Sequence, residues 1–265
     1  MFDWWRKRSR KKLLQTSFPK SWRGILVERV AHYNYLNGEE QGHLEELIRF
    51  FIAEKNFEGC SGLEITDEIK VVIAAEASLL VLGLPAFQYK RLQSVLVYPT
   101  TVVLPETRQR VFSGGPSIVP DRQAILGQAM LNGPVILVWD AVARDARHPE
   151  RGHNVVYHEF AHILDMRDGA ADGTPELHSA KLFREWVEIC TKEFFRLQER
   201  TAEGKRTLLD SYGAVHEAEF FAVATELFFD RPRQMRKERP ELYNVLASYY
   251  MQDTAARKDL HKNSS

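Results

Sequence analysis

The stretch NVVYHEFAHILDM, Asn154 to Met166, carries two histidines and a glutamate in the spacing H-E-x-x-H. On a helix, His158 and His162 lie one turn apart on one face, so both imidazoles can reach a single ion. Val156, Phe160, Ile163 and Leu164 fall on another stripe, which can pack into a core and hold the helix rigid. Glu159 sits one step round from His158. From there it reaches a water on the ion rather than the ion itself, the arrangement of a hydrolytic metal site with its own general base. The competing reading is a pair of histidines satisfied inside an ordinary core helix, because a bare H-E-x-x-H also arises by chance.

A third protein ligand is required. The continuation H-E-x-x-H-x-x-G-x-x-H fails, because Asp165 and Asp168 stand where it needs glycine and histidine. A glutamate from a later helix is the other route, and HEAEFFAVATELFFD, His216 to Asp230, supplies one. Glu219, Ala222, Val223 and Glu226 share a face, Phe220, Ala224 and Leu227 form an apolar stripe, and Asp230-Arg231-Pro232 ends the helix. Two carboxylates on such a helix are costly unless paired or bound; a half-exposed helix is the plainer alternative. Glu219 is the expected ligand. Glu226, two turns on, is the expected acceptor for a ligand imidazole.

The surrounding residues are less decisive. Asp165 either orients a ligand histidine, bridges to a loop or faces water at a helix end. Tyr212, in the loop DSYGAV, can donate to a developing oxyanion, although a lone tyrosine is usually packing. Glu217 reads as a first-turn charge that suits the helix dipole. His153, which starts the helix, can lie near the site, and His178 and His216 can approach it; the plainer reading of each is a surface or loop histidine.

The remainder of the chain sets the frame. It has 265 residues, room for one large domain or two small ones, with 44% apolar and 27% charged residues. Lys+Arg and Asp+Glu both count 36, so no global charge points to nucleic acid, and no direct nucleic-acid binding is expected. Cys60 and Cys190 are far apart without a C-x-x-C, which fits small buried hydrophobes in a reducing compartment. MFDWWRKRSRKKLL at the N-terminus is basic but has no apolar core or cleavage site behind it. VVIAAEASLLVLGL, Val71 to Leu84, is too short to span a bilayer. A cytoplasmic monomer without a transmembrane segment is expected.

Three parts are read along the chain: a basic arm over 1–20, an N-terminal helical part over 21–90, and a zincin-like catalytic part over 91–265. The arm reads as a solvated tail or as a contact for anionic lipid or nucleic acid. EEQGHLEELIRFFIAEK and TDEIKVVIAAEASLLVLG predict core helices, the second capped by Thr66 and stopped at Gly83. SVLVYPTTVVL (94–104) and PVILVWD (134–140) predict strands. FSGGPSIVPDRQ between them predicts a loop, not a phosphate loop, since no GK[ST] follows. Helices are predicted at 154–167, 176–200, 216–229 and 239–251. Strands in the middle followed by helices argue for α+β.

Taken together, NVVYHEFAHILDMRDG, GPVILVWD, DSYGAVHEAEFFAVATELFFDRP and ELYNVLASYY resemble the Mlc titration factor A family of zinc metallopeptidases, and the likeness begins at SWRGILVERVAHYNYLNGEEQ. The resemblance implies a zincin-like fold of the Glu-ligand class with an N-terminal helical scaffold, related in its core to the catalytic domain of anthrax lethal factor. It implies Zn2+ on His158, His162 and Glu219, Glu159 as general base and Tyr212 as the active-site phenol. It implies aminopeptidase-like hydrolysis of peptide substrates and, from the founding type, binding of a glucose-responsive transcriptional repressor of sugar uptake. The alternative is a repressor-binding protein with a vestigial or regulatory zinc site. Where the family pattern has Asn-Pro before Ala-Glu, this chain has His216-Glu217. A strand near 135–139 is expected to pair with an extended peptide.

Overall fold

The computed structural model describes residues 8, 10–84, 89–100, 127–129 and 133–257. The predicted loop over 112–123, the end of the predicted 94–104 strand and the first residues of the basic arm lie outside these. Arg10, midway along the arm, is held by Glu54 at 2.6 Å and lies over the Phe50 ring.

The described residues form helices and one four-stranded sheet. Helix α1 is Lys20–Arg29, α2 is Gly38–Glu54 and α3 is Asp67–Leu80. Asn37 caps α2 with a full capping box: its side chain accepts from the Glu40 amide, and Glu40 accepts from the Asn37 amide. Thr66 caps α3 as predicted, accepting from the Ile69 amide. From Val71 to Leu80 every residue of α3 is buried. A helix apolar on all sides belongs in the middle of a domain, and α3 packs against both α1 and α2. Gly83 falls in the turn after the helix, which ends three residues earlier, at Leu80.

Strand β1 is Asn56–Gly59, β2 Ser94–Tyr98, β3 Gly127–Ala129 and β4 Val135–Val138. The order is β1-β2-β4-β3, with β1, β2 and β4 parallel and β3 antiparallel on the edge. Three parallel strands with an antiparallel rim and helices packed around them are an α+β arrangement. The expectation that a strand near 135–139 receives a peptide is overturned. β4 is hydrogen-bonded on both sides, to β2 and to β3, so its backbone has no free edge. Its apolar run is that of a central strand, buried at Val135, Leu137 and Val138. The strand also stops sooner than predicted, because Trp139–Asp145 is helix α4.

The C-terminal helices are α5 Val155–Asp165, α6 Ala180–Ala202, α7 Glu217–Asp230, α8 Pro232–Glu238 and α9 Pro240–Tyr250. Prolines at the first position start both α8 and α9. Among the described residues no helix is long and apolar enough to cross a membrane, and both cysteines are free and half-buried.

Two buried polar links tie the N-terminal helices to the C-terminal ones. His32 meets Asp230 at 2.9 Å. Glu76, fully buried on α3, accepts from the Asn154 side-chain amide at 2.6 Å. Asn154 in turn caps α5, its carbonyl oxygen accepting from the Val156 and Tyr157 amides. Burial raises the Glu76 carboxyl pKa to about 7 from 4.5. Below about 4.5 the group is protonated folded and unfolded alike, and costs nothing. Between there and about 7 only the unfolded chain releases the proton, so stability falls as pH rises. Glu76→Gln is therefore expected to stabilise the protein at pH 8 by on the order of 2–3 kcal/mol relative to its effect at pH 5, read from urea midpoints at the two pH values. An equal effect at both would refute a proton held on Glu76.

Candidate metal centre

Helices α5 and α7 pack on each other, and their facing polar groups make the site. The α5 cap is what aims it. With Asn154 fixed to Glu76 and to the first amides of the helix, Val156, Phe160 and Leu164 are driven into the core. His158 and His162 then emerge on the opposite side, at the floor of an open cleft of about 380 Å³. On α7, Phe220, Ala224 and Leu227 are buried, and Glu219 is turned toward the two histidines.

Three donor atoms converge there. Glu219 Oε2 is 3.0 Å from His158 Nε2 and 3.5 Å from His162 Nε2, and the two ring nitrogens are 3.3 Å apart. Four-coordinate nitrogen and oxygen ligands at about 2.0–2.1 Å from an ion stand about 3.3–3.4 Å from each other. The triangle therefore fits the face of a tetrahedral metal site. Glu219 Oε2 is buried with no well-directed hydrogen-bond donor on it. A carboxylate oxygen left in that condition is costly unless a cation meets it.

The electrostatics point the same way. Burial alone would discharge His158, but Glu219 and Glu226 more than offset it and raise its pKa to about 10. Burial likewise opposes the charge on Glu219, and His158 and His162 override it, holding that carboxyl far below its ordinary value. The pocket is built to hold positive charge. Glu159, beside these groups and almost wholly buried, is pushed up to about 7, chiefly by burial.

Glu226 is a hub. Its Oε1 accepts from His158 Nδ1 at 2.7 Å, which leaves Nε2 of that ring to face the metal position. Its Oε2 accepts from His153 Nδ1 at 2.5 Å and from the Asn154 amide at 2.8 Å. Asp165 does something else. It is fully buried and accepts from the Gly173 amide at 2.9 Å, so it anchors the loop after α5 rather than a ligand ring. Gly173 has φ +75°, and a Cβ there would collide with the Glu217 backbone. Trp186 Nε1 donates to the Gly173 carbonyl at 3.1 Å. This loop brings Met166 and Ala171 to the cleft wall.

Tyr212 lies in a 3-10 turn, Ser211–Ala214, rather than in an irregular loop. Its ring is 6.0 Å from that of His158, and it is partly exposed to the cleft. Partial burial and the Glu219 carboxylate raise its pKa to about 12, so it remains a proton donor at neutral pH. Two histidines are half-exposed, as the plainer reading has it, and also reach the site. His153 binds Glu226, and His216 lines the cleft. The position of His153 one residue before the α5 cap was the only signal for it. His178 is structural, stacked on Tyr249 and bonded to that residue's carbonyl at 2.8 Å.

A helix bearing two histidines, a second helix supplying a carboxylate, and a small mixed sheet with an antiparallel rim beside them make a zincin-like α+β core. The chain belongs to the family described as glucose-regulated metallo-peptidase M90, whose family model matches residues 2–251; it is a metallopeptidase. Its relatives include an uncharacterized protein of Synechocystis sp., 36% identical over 247 residues, covering 93% of this chain and 88% of the relative. Mlc titration factor A of Edwardsiella ictaluri is 33% identical over 228 residues, 84% of each chain. The protein of that name from Yersinia pestis is 29% identical over 235 residues, 86% of this chain and 84% of its own.

Removing Glu226 leaves His158 Nδ1, His153 and the Asn154 amide without their acceptor. Glu226→Ala is expected to weaken metal binding by about 10–100-fold, measured by competition with a chromophoric chelator. Unchanged affinity would show that the hub does not support the metal position.

Proposed function

We propose that the chain is a zinc peptidase that hydrolyses peptide bonds in an aminopeptidase-like reaction, with His158, His162 and Glu219 as the metal ligands. The observation that carries this reading is the convergence of those three donors with Glu159 buried against them. Two imidazoles and one carboxylate are a ligand set that zinc takes, with a fourth position left for chemistry. A zinc ion held there would supply Lewis acidity and make water acidic enough to react at neutral pH.

The protein's own groups do the rest. Glu159, with a pKa brought near neutrality by burial, takes a proton from the attacking water and delivers it to the leaving amine nitrogen. Tyr212 stays protonated and donates to the carbonyl oxygen as negative charge gathers on it. Glu226 keeps the His158 ring in one tautomer and one orientation throughout. The peptide binds in extended form along β3, which stands at the edge of the sheet among the described residues and whose Ala129 lines the cleft. The walls at Met166, Ala171 and Ala218 then meet substrate side chains.

A second reading concerns a partner. The Edwardsiella and Yersinia relatives carry the name Mlc titration factor A. That name supports binding of a transcriptional repressor by this chain as well, with the metal site either catalytic or regulatory. One variant separates the two. Glu159→Gln is expected to lower peptide hydrolysis by about 10²–10⁴-fold with its zinc content intact. Repressor capture by that variant, measured by calorimetry against the purified repressor, is expected to match that of the unaltered protein. Full hydrolysis by Glu159→Gln would remove Glu159 as the base. Protein that holds no zinc at all would remove the peptidase reading.

A further inference from the structure

His216 stands at the start of α7 in the N-cap position, yet it does not cap the helix: its side chain accepts no amide. Its backbone is fixed all the same. The His216 carbonyl takes the first helical bond, from the Phe220 amide at 3.0 Å. The turn before it is pinned from several sides. The Asp210 carboxylate accepts from the Tyr212 amide at 2.8 Å, and Gln198 Nε2 donates to the Ala214 carbonyl at 3.1 Å. Gly213 is buried, and a Cβ there would press on Leu197, Val223 and Phe220 at 3.2–3.4 Å. Residues 212–219 thus form a rigid segment that delivers Tyr212, His216 and Glu219 to one cleft at intervals of four and three.

The two oxygens of Glu219 face different neighbours. Oε2 faces the His158 and His162 nitrogens, and Oε1 lies 3.7 Å from His216 Nε2. That separation is too long for a hydrogen bond, so the imidazole does not lock the ligand carboxylate. The His216 side chain is half exposed, at 50%, and lines the cleft, with its Nε2 beside the outer oxygen of Glu219. An imidazole N–H in that place, unused by the fold, is a donor waiting for an acceptor on the substrate.

We infer that His216 is a second donor to the developing oxyanion, acting beside Tyr212 on the carbonyl oxygen of the scissile bond. The inference rests on the peptidase reading above. Two neutral or cationic donors around one forming charge stabilise the transition state more than the planar carbonyl, so the effect falls on turnover rather than on ground-state binding. An asparagine amide at position 216 has a shorter reach than an imidazole, so the asparagine variant tests reach as well as chemistry.

The test uses His216→Ala and His216→Asn in the full-length, zinc-loaded protein, with three readouts. The first is kcat and KM on an internally quenched peptide chosen from a mixed-sequence library. The second is affinity for a phosphinic pseudopeptide of the same sequence, a tetrahedral anion that mimics the transition state. The third is zinc content by atomic emission. In His216→Ala, kcat is expected to fall by about 10²-fold with KM little changed. Affinity for the phosphinic compound is expected to fall by a similar factor while zinc content holds. His216→Asn should recover part of both losses. Unchanged kcat, a loss confined to KM, or a loss that tracks missing zinc would each overturn the assignment. If the unaltered protein holds zinc but cleaves no peptide, the peptidase reading fails by itself. The phosphinic compound then still decides on His216, because equal binding by the unaltered and alanine proteins, or none by either, refutes the donor.

Discussion

The site depends on one buried carboxylate gripped from three directions. Glu226 sits on α7 and collects hydrogen bonds from the His158 ring, the His153 ring and the Asn154 amide, all from the start of α5 or just before it. It therefore joins the two helices at the place where their donors must meet. Buried charges are tolerated only when their hydrogen-bonding capacity is filled, and here the filling groups are those that need to be aimed. One interaction sets helix register, ring tautomer and the direction in which His158 offers its free nitrogen.

The cost of that arrangement is a concentration of negative charge. Glu159, Glu219 and Glu226 surround two imidazoles inside a largely apolar interior. The burden is divided by position. Glu226 answers backbone and ring N–H groups, Glu219 faces both ring nitrogens, and Glu159, with burial as its main influence, keeps a proton affinity near neutrality. Identical side chains thus acquire different proton affinities from their surroundings.

Much of this was legible in the sequence, and the reasons are local. The i, i+4 spacing of His158 and His162 and the face shared by Glu219 and Glu226 follow from helix geometry alone, and the structure brings these residues together as that geometry implies. Capping by Thr66 and the helix stop at Arg231 are also local. What could not be read depends on distant partners. Nothing in NFEG announces β1, a half-exposed strand of four residues whose pairing with β2 begins 38 positions further along, at Asn56 and Ser94. The central place of β4, which denies it a free edge, is a property of strand order. Asp165 looks like a helix-terminal acid until Gly173 folds back on it. His216 looks like a surface residue because its partner is a cleft, and a cleft has no sequence signature.

The apolar stripes of α5 and α7, the Asn154 cap and the Glu226 hub make no use of an ion. Small metal-folded modules are different, since their chain collapses only when the metal arrives. Here the fit between the two helices comes from the burial of Phe160, Leu164 and Phe220 and from the hydrogen bonds that Glu226 accepts.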